Sequence, residues 1–201
     1  MKLFLASSNL GKLREYRELA GDAAVDLELL PNFRDIPAYE ENAPTFSENS
    51  AGKALYYSKF CGGVVLADDS GLVVPALGGA PGVRSARYAG PGASDADRVR
   101  KLLREMDGKK GDERRARFVC VTAMAQQGRA VAVVSDAAEG LIADQPKGEG
   151  GFGYDPVFYF EELGRTYAEI SSAEKRAYSH RGKAFRRILY VHSPSFAATF
   201  G

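Results

Sequence analysis

The chain has 201 residues, of which 45% are apolar and 26% are charged, and its formal net charge is +1. This composition is typical of an ordinary soluble globular protein, and the charge balance creates no general demand for nucleic acid or an anionic membrane. No apolar run approaches the roughly 20 residues of a membrane helix, and the distant cysteines Cys61 and Cys120 indicate reduced core residues in the cytoplasm rather than a disulfide framework. We predict a single domain over residues 1–201.

The chain begins with a predicted strand, Leu3 to Ala6, which leads through a polar loop into a helix. Hydroxyls, glycine and lysine at a helix N-terminus favour an anion site, because free amides and the helix dipole both attract negative charge. The GxxxxGK pattern of a Walker motif is absent, and an ordinary helix cap explains the loop equally well. The helix has apolar residues at a spacing of three, which predicts one buried face: Leu10, Leu13, Tyr16 and Leu19.

An acidic loop separates the next strand, Val25 to Leu30, from the second predicted helix. This loop, residues 31–44, contains Glu40 and Glu41. Without further information, such glutamates are predicted to be solvent-exposed loop residues. Thr45 with Glu48 matches a capping box and predicts a helix from Phe46 to about Phe60. On that helix, Lys53 is expected to be exposed or aimed at a cleft.

Two adjacent acids, Asp68 and Asp69, follow the apolar run Val64 to Leu66. We expect the strand to end at Leu66 and the acids to open a loop. Acids rarely follow a core strand directly unless they are solvated, paired or bound to a cation. Because ligands of open α/β sheets bind beyond the carboxyl ends of parallel strands, this stretch is interpreted as the catalytic and metal-binding centre.

The middle of the chain changes from alternating strands and helices to a meander. A loop rich in glycine and proline covers residues 72–90, and a helix is predicted from Ser94 to about Met106. Further strands are predicted at residues 116–125, 130–134 and 139–142, with a hairpin turn at residues 126–128. This order predicts an α/β fold with a mixed sheet.

Two later segments carry candidate recognition residues. The glycines of residues 147–156 allow Phe152 and Tyr154 to stack on a planar base, a contact worth roughly 1–3 kcal/mol, or to pack in the core, and the residues alone leave both alternatives open. The run from Ser179 through His180 and Arg181 opens a helix and brings several hydrogen-bond donors to one point.

Four motifs, in this order along residues 3–189, together resemble the inosine triphosphate pyrophosphatase family, whose bacterial members are XTP/dITP diphosphatases of the RdgB/Ham type: SxNxxK, ADDSGLVVPALGGAPGVRSARYAG, GGFGYDPVF and SHRGKA. The resemblance implies an elongated, two-lobed α/β fold around a long mixed sheet, with the site in the cleft between lobes, and a homodimer. It also implies Mg²⁺-dependent hydrolysis of ITP, dITP and XTP to the monophosphate and pyrophosphate, which cleanses the nucleotide pool.

The resemblance assigns a role to each matching residue. Asp69 would be the general base and a metal ligand, with Glu40 as second ligand and Asp68 beside it. The triphosphate would be held by Ser7, Ser8, Asn9, Leu10, Gly11 and Lys12, with Lys53 and Lys175 neutralising charge and Ser70 also in the substrate site. The base would be recognised by Phe152, Gly153, Tyr154, Asp155, His180 and Arg181. The loop has Ser8 where glycine is common in the family, a departure that bears on phosphate affinity.

Two other functions are compatible with parts of the sequence. One is a Maf-type pyrophosphatase acting on pyrimidine or modified nucleotides. The other is a non-catalytic module that binds nucleotides, or nucleic acid through the arginines of residues 98–104 and 114–117. A module without catalysis does not need Glu40 and Asp69 beside a phosphate loop. Mg²⁺-dependent release of pyrophosphate from ITP distinguishes the enzyme from the module.

Overall fold

The computed structural model describes residues 1–192; residues 193–201 of the predicted domain lie outside the described residues. The strands are β1 (Lys2–Leu5), β2 (Asp26–Leu29), β3 (Val64–Val73), β4 (Arg115–Gln126), β5 (Arg129–Ile142), β6 (Phe158–Phe160) and β7 (Arg165–Thr166). The α-helices are α1 (Leu10–Asp22), α2 (Phe46–Tyr57), α3 (Asp95–Glu105), α4 (Ser172–Tyr178) and α5 (His180–Val191).

The seven strands form one sheet in the order β2-β1-β3-β4-β5-β6-β7. β1 pairs in parallel with β2 and β3, and Leu5 lies opposite Leu66 in the second of these pairings. β6 pairs antiparallel with both β5 and β7. The predicted α/β fold with a mixed sheet is therefore confirmed, and its parallel part is the part where helices follow strands in the sequence.

The chain forms two compact units. The first comprises Met1–Asp69, Cys120–Asp136 and the chain from Arg181, and the second comprises Ser70–Val119 and Ala137–His180. The first unit has two apolar clusters, one containing α1 and α5 residues and the other containing α2 residues. The second unit has one cluster, which joins α3 to β4, β5 and β6 and includes Leu102, Phe118 and Phe158.

Side-chain caps explain where the helices begin. Asn9 Oδ1 accepts the Lys12 amide at 3.0 Å, and Thr45 Oγ1 accepts the Glu48 amide at 3.2 Å. Capping boxes open α3 at Ser94 and α4 at Ser171. Each cap satisfies an amide that has no partner within its own helix, so the predicted starts of α2 and α3 are confirmed.

Several predicted boundaries were wrong. β3 does not end at Leu66 but continues through both acids to Val73, because ion pairs and a hydrogen bond compensate the carboxylates there. The strands predicted at 130–134 and 139–142 are one strand, β5, since the residues between them keep an extended backbone. Leu10 is 78% exposed and does not belong to the buried face of α1, which is completed by Ala20 instead.

The turn between β4 and β5 lies where the sequence places it. Gln127 and Gly128 both have positive φ, 49° and 76°, as a two-residue hairpin with right-handed strand twist requires. Within residues 1–192, no helix has the length and apolar character needed to cross a membrane.

Candidate active site

The alternation of side chains along β3 sends the two acids to opposite faces of the sheet. Leu66 packs in the cluster of α1 and α5, whereas Ala67 packs in the cluster of α2. Because successive strand residues face opposite ways, Asp68 lies on the α1 side and Asp69 on the α2 side. The acids are neighbours in sequence but have separate surroundings.

Asp68 is the centre of a buried ion cluster in the first unit. Its side chain is 1% exposed, and Oδ2 lies 3.0 Å from Lys12 Nζ and 3.5 Å from Arg181 Nη2. Arg181 also donates to Glu15 Oε2. Burial opposes ionisation of Asp68, but Lys12 and Arg181 outweigh it and hold the pKa of this carboxyl well below its usual range.

Asp69 has a different environment. Its Oδ2 accepts a hydrogen bond of 2.9 Å from Asn49 Nδ2 on α2. Burial raises the pKa of the Asp69 carboxyl, an effect to which Glu41 adds and which Lys12 and the Asn49 hydrogen bond only partly offset. A raised pKa makes this carboxylate the better proton acceptor of the pair.

Asn49 is a residue that the sequence analysis did not single out. It is 1% exposed, and besides binding Asp69 it accepts the Ala43 amide at 3.0 Å and donates to the Ala43 carbonyl at 3.3 Å. It thereby joins the acidic loop to Asp69. The available signal was its place one residue after the capping Glu48, where a polar side chain faces the core.

In the acidic loop, the two glutamates are held differently. Glu40 is exposed, and its Oε2 accepts from Asn42 Nδ2 at 3.0 Å. Glu41 is half-buried and lies 2.5 Å from Lys53 Nζ. Burial lowers the pKa of Lys53, but Asp68 and Glu41 raise it further than burial lowers it, so Lys53 is a buried, protonated lysine rather than an exposed one.

The predicted phosphate loop forms the turn between β1 and α1. Ser7 is buried and its Oγ accepts the Asn9 amide at 3.3 Å, while Ser8 and Asn9 are exposed. Lys12 leans from the first turn of α1 onto Asp68. The helix N-terminus therefore has a cation beside it, which increases the attraction for an anion.

In the second unit, the structure brings three of the predicted substrate-binding residues together. The buried carboxylate of Asp155 accepts the Phe152 amide at 2.8 Å and the Lys175 ammonium group. Lys175 Nζ lies 5.0 Å from the centre of the Phe152 ring. The Phe152 ring is half-exposed, so one ring is left accessible above a buried ion pair.

The remaining predicted residues of this unit are more enclosed. Tyr154 is 3% exposed, packs in the hydrophobic cluster and donates to the Ser85 carbonyl at 2.9 Å. Its side chain therefore packs in the core, and the role of Tyr154 in substrate binding stays a prediction. The His180 ring is buried and stacks on Phe118 with centroids 4.7 Å apart. Ser70 is half-buried within β3.

The first unit offers oxygen ligands to a hard cation. Among residues 1–192, no three His, Cys, Asp or Glu side chains come together as a metal site. Mg²⁺, however, is usually bound by one or two carboxylates together with substrate phosphates. Within the described part of the chain, the buried Asp68 Oδ1 has no hydrogen-bond partner. Carboxylate ligands, one of which has an oxygen without a hydrogen-bond partner among the described residues, fit such an ion.

Comparisons with known proteins agree with the resemblance seen in the sequence. Residues 3–191 match the model of the Ham1 family. A dITP/XTP pyrophosphatase of Geobacillus kaustophilus is 49% identical over 187 residues, which cover 93% of this chain and 92% of that protein. A dITP/XTP pyrophosphatase of Thermus thermophilus is 49% identical over 192 residues, covering 96% and 92%.

Solved structures share the fold over almost the whole chain. A HAM1 protein from Coxiella burnetii has a TM-score of 0.84 and 41% identity, covering 95% of this chain and 98% of that one. The Ham1 protein of Staphylococcus aureus has a TM-score of 0.81 and 37% identity, covering 94% and 96%.

Proposed function

Because the chain belongs to the Ham1 family, we propose that it hydrolyses deaminated purine nucleoside triphosphates, namely dITP, XTP and ITP, to the nucleoside monophosphate and pyrophosphate. The names of relatives at 49% identity support the substrate class. The observation that carries the chemistry is the pair of unlike acids on β3. Asp68 is neutralised by cations, and Asp69 has a raised pKa.

Asp69 is the proposed general base. Its carboxylate, oriented by Asn49, accepts the proton of the water that attacks the phosphorus atom next to the nucleoside, and the bond to the leaving pyrophosphate breaks. Lys12 and the amides at the start of α1 bind the phosphate oxygens and offset their charge. This assignment follows the general requirement of phosphoryl transfer for positioning and charge neutralisation.

Glu40 and Asp69 are the proposed ligands of Mg²⁺, and Asp68, whose Oδ1 has no hydrogen-bond partner within residues 1–192, is the third carboxylate of the proposed site. When bound, Mg²⁺ supplies positive charge at the phosphoryl oxygens and lowers the pKa of a bound water. Lys53 keeps Glu41 in an ion pair, whereas its neighbour Glu40 faces solvent. Exposure suits a ligand that an ion reaches together with its substrate.

Base selection is assigned to Phe152, Asp155, His180 and Arg181. The Phe152 ring stacks on the purine, and Asp155 and His180 provide polar contacts to its edge. Hypoxanthine and xanthine present a carbonyl oxygen at position 6, whereas adenine presents an amino group. A site built to donate a hydrogen bond there can reject the wrong group by roughly 10⁴–10⁵-fold.

The test is pyrophosphate release from dITP, XTP, ITP, ATP and GTP, with Mg²⁺ and with EDTA. We expect Mg²⁺-dependent release from the first three and a far lower kcat/KM for ATP. Equal kcat/KM for ATP and dITP would contradict the specificity, and nucleotide binding without release would favour a non-catalytic module.

We also propose that the enzyme is a cytoplasmic homodimer. The family resemblance supports the dimer. Both cysteines are free thiols, and burial raises the pKa of Cys120 to about 11, so this thiol is a protonated core group. Sedimentation of the purified protein tests the dimer, and a monomer at micromolar concentration would contradict it.

A further inference from the structure

Residues 147–155, called the base loop below, have a backbone that depends on glycine. Gly148, Gly151 and Gly153 have φ of 80°, 73° and 64°, a region that other residues rarely adopt. One side of the loop is tied to the segment after β7, where the Gly150 amide donates to the Ala168 carbonyl at 3.0 Å. This bond lies two residues before Phe152 and does not hold the amide of Gly153 that follows it.

A second tie comes from α3. Asp95, the first residue of that helix, accepts the Gly153 amide on Oδ2 at 2.7 Å. Its other oxygen pairs with Arg98. Arg98 is itself fixed, because Nη1 donates to the carbonyls of Ala86 at 2.9 Å and Ala93 at 2.6 Å. Arg98 therefore holds the Asp95 carboxylate in the orientation that binds the Gly153 amide.

The Gly153 amide lies between two residues that have hydrogen bonds of their own. The Phe152 amide is held by Asp155, and Tyr154 is anchored in the core through Ser85. Between them, the peptide that joins Phe152 to Gly153 accepts a long hydrogen bond of 3.3 Å from the Asp155 amide on its carbonyl and donates the shorter one of 2.7 Å to Asp95 from its amide. Because the rotamers open to a side chain depend on its backbone dihedral angles, the orientation of this peptide restricts where the Phe152 ring points.

We propose that Asp95 is a positioning residue for the purine base: held by Arg98, it fixes the Gly153 amide and with it the plane of the Phe152 ring. This inference rests on the proposed function, in which Phe152 stacks on the base. Asp95 acts through the base loop and not on the reacting atoms. Its removal therefore weakens substrate binding more than it slows the chemical step.

The first turn of α3 offers a matched control. Asp97 is also an acid paired with an arginine three residues on, Arg100, and it additionally completes the capping box with Ser94. Asp97→Ala damages the helix start at least as much as Asp95→Ala does, and it leaves the Gly153 contact in place. General loss of helix stability affects both variants, whereas loss of the loop tie affects one.

Two measurements on the full chain test the inference. For Asp95→Ala, we expect KM for dITP to rise about tenfold with kcat within about threefold, and the Gly153 amide to exchange its hydrogen at least about tenfold faster by NMR. For Asp97→Ala, both quantities stay near wild type. Asp95→Asn, which keeps an acceptor oxygen but not the charge, is expected to lie between, and it replaces Asp95→Ala if that variant does not fold.

Equal changes in the two alanine variants, or wild-type KM and exchange in Asp95→Ala, would overturn the inference. Failure of the proposed function is seen separately, because the wild-type enzyme would then release no pyrophosphate from dITP. In that case, unchanged Gly153 exchange in Asp95→Ala still overturns the tie to α3.

Discussion

At the scale of single residues, burial and partners give two neighbouring acids different chemistry. Asp68 has a lysine and an arginine against one oxygen, whereas Asp69 accepts a hydrogen bond from the side-chain amide of Asn49. The pKa of Asp68 is lowered and that of Asp69 is raised. Asp68 is thus assigned to the ion cluster with Lys12 and Arg181, and Asp69 is assigned to proton transfer.

Asp69→Asn is expected to lower kcat about 10²–10⁴-fold, because an amide cannot accept the water's proton. The fold should be kept, since an amide oxygen can still accept from Asn49. Stopped-flow or coupled pyrophosphate assays measure the rate, and calorimetry with dITP measures binding, which we expect to persist. The exposed Asp107→Asn serves as the control; near-normal turnover in Asp69→Asn would remove this residue from the role.

Asp68 is expected to make the free energy of unfolding fall as the pH is lowered. Its pKa is lower in the folded protein than the roughly 3.9 of an unfolded chain, so its contribution is complete above that value and is lost as the pH falls below it. Urea midpoints from pH 6 to pH 2 measure this loss. Asp68→Asn should have a lower midpoint at pH 6, because Arg181 loses a buried partner, and a shallower decline on acidification. An unchanged pH dependence in this variant would contradict the assignment.

At the scale of elements, the caps and the base loop show two ways in which sequence determines local structure. Caps act within four residues, so Thr45 with Glu48 and Ser94 with Asp97 identify helix starts directly. The base loop depends on contacts far along the chain: Ala168 approaches Gly148 so closely that a Cβ there would overlap its carbonyl. Its glycines were visible in the sequence, but the partners that require them were not.

Gly151→Ala is expected to damage the base loop. The residue has a φ of 73°, and a Cβ would overlap Asp155 Oδ2, the atom that accepts the Phe152 amide. We expect KM for dITP to rise at least about tenfold and the unfolding free energy to fall by about 1–3 kcal/mol.

Gly21→Ala is the matched control for that variant. Gly21 lies in α1 with nothing within 4 Å of an added Cβ, so alanine should be neutral or stabilise by up to about 1 kcal/mol. Thermal unfolding and dITP kinetics of both variants decide the matter, and equal behaviour would contradict the role assigned to the loop contacts.

At the scale of the whole molecule, three strands belong to both compact units. β3 passes from the first unit to the second after Asp69, β4 passes between them before Cys120, and β5 after Asp136. A strand that loses its order in one unit cannot easily keep its pairing in the other, because its backbone hydrogen bonds are made in one ladder. The predicted single domain remains a prediction that this continuity supports.

We therefore expect one cooperative unfolding transition. Circular dichroism at 222 nm and tyrosine fluorescence should give coincident urea curves, and the calorimetric and van't Hoff enthalpies should agree. The ten tyrosines and the absence of tryptophan make a tryptophan placed in either unit a specific probe. Two separated transitions, one for each such probe, would show independently stable units.

The sequence by itself determined the starts of α2 and α3, the α/β class, the hairpin turn and the family, because caps, periodicity, turn residues and motif order are local patterns along the chain. Its motifs also identified every residue now proposed to contact the substrate or the metal. Only the tertiary structure decided that β3 continues through Asp68 and Asp69 and that Glu41 pairs with Lys53. It also decided that Asn49 holds Asp69 and that Asp95 holds the base loop. Those outcomes depend on partners that are 12 residues away for Lys53 and Glu41 and 58 residues away for Gly153 and Asp95. Burial and charge compensation act through space rather than along the chain.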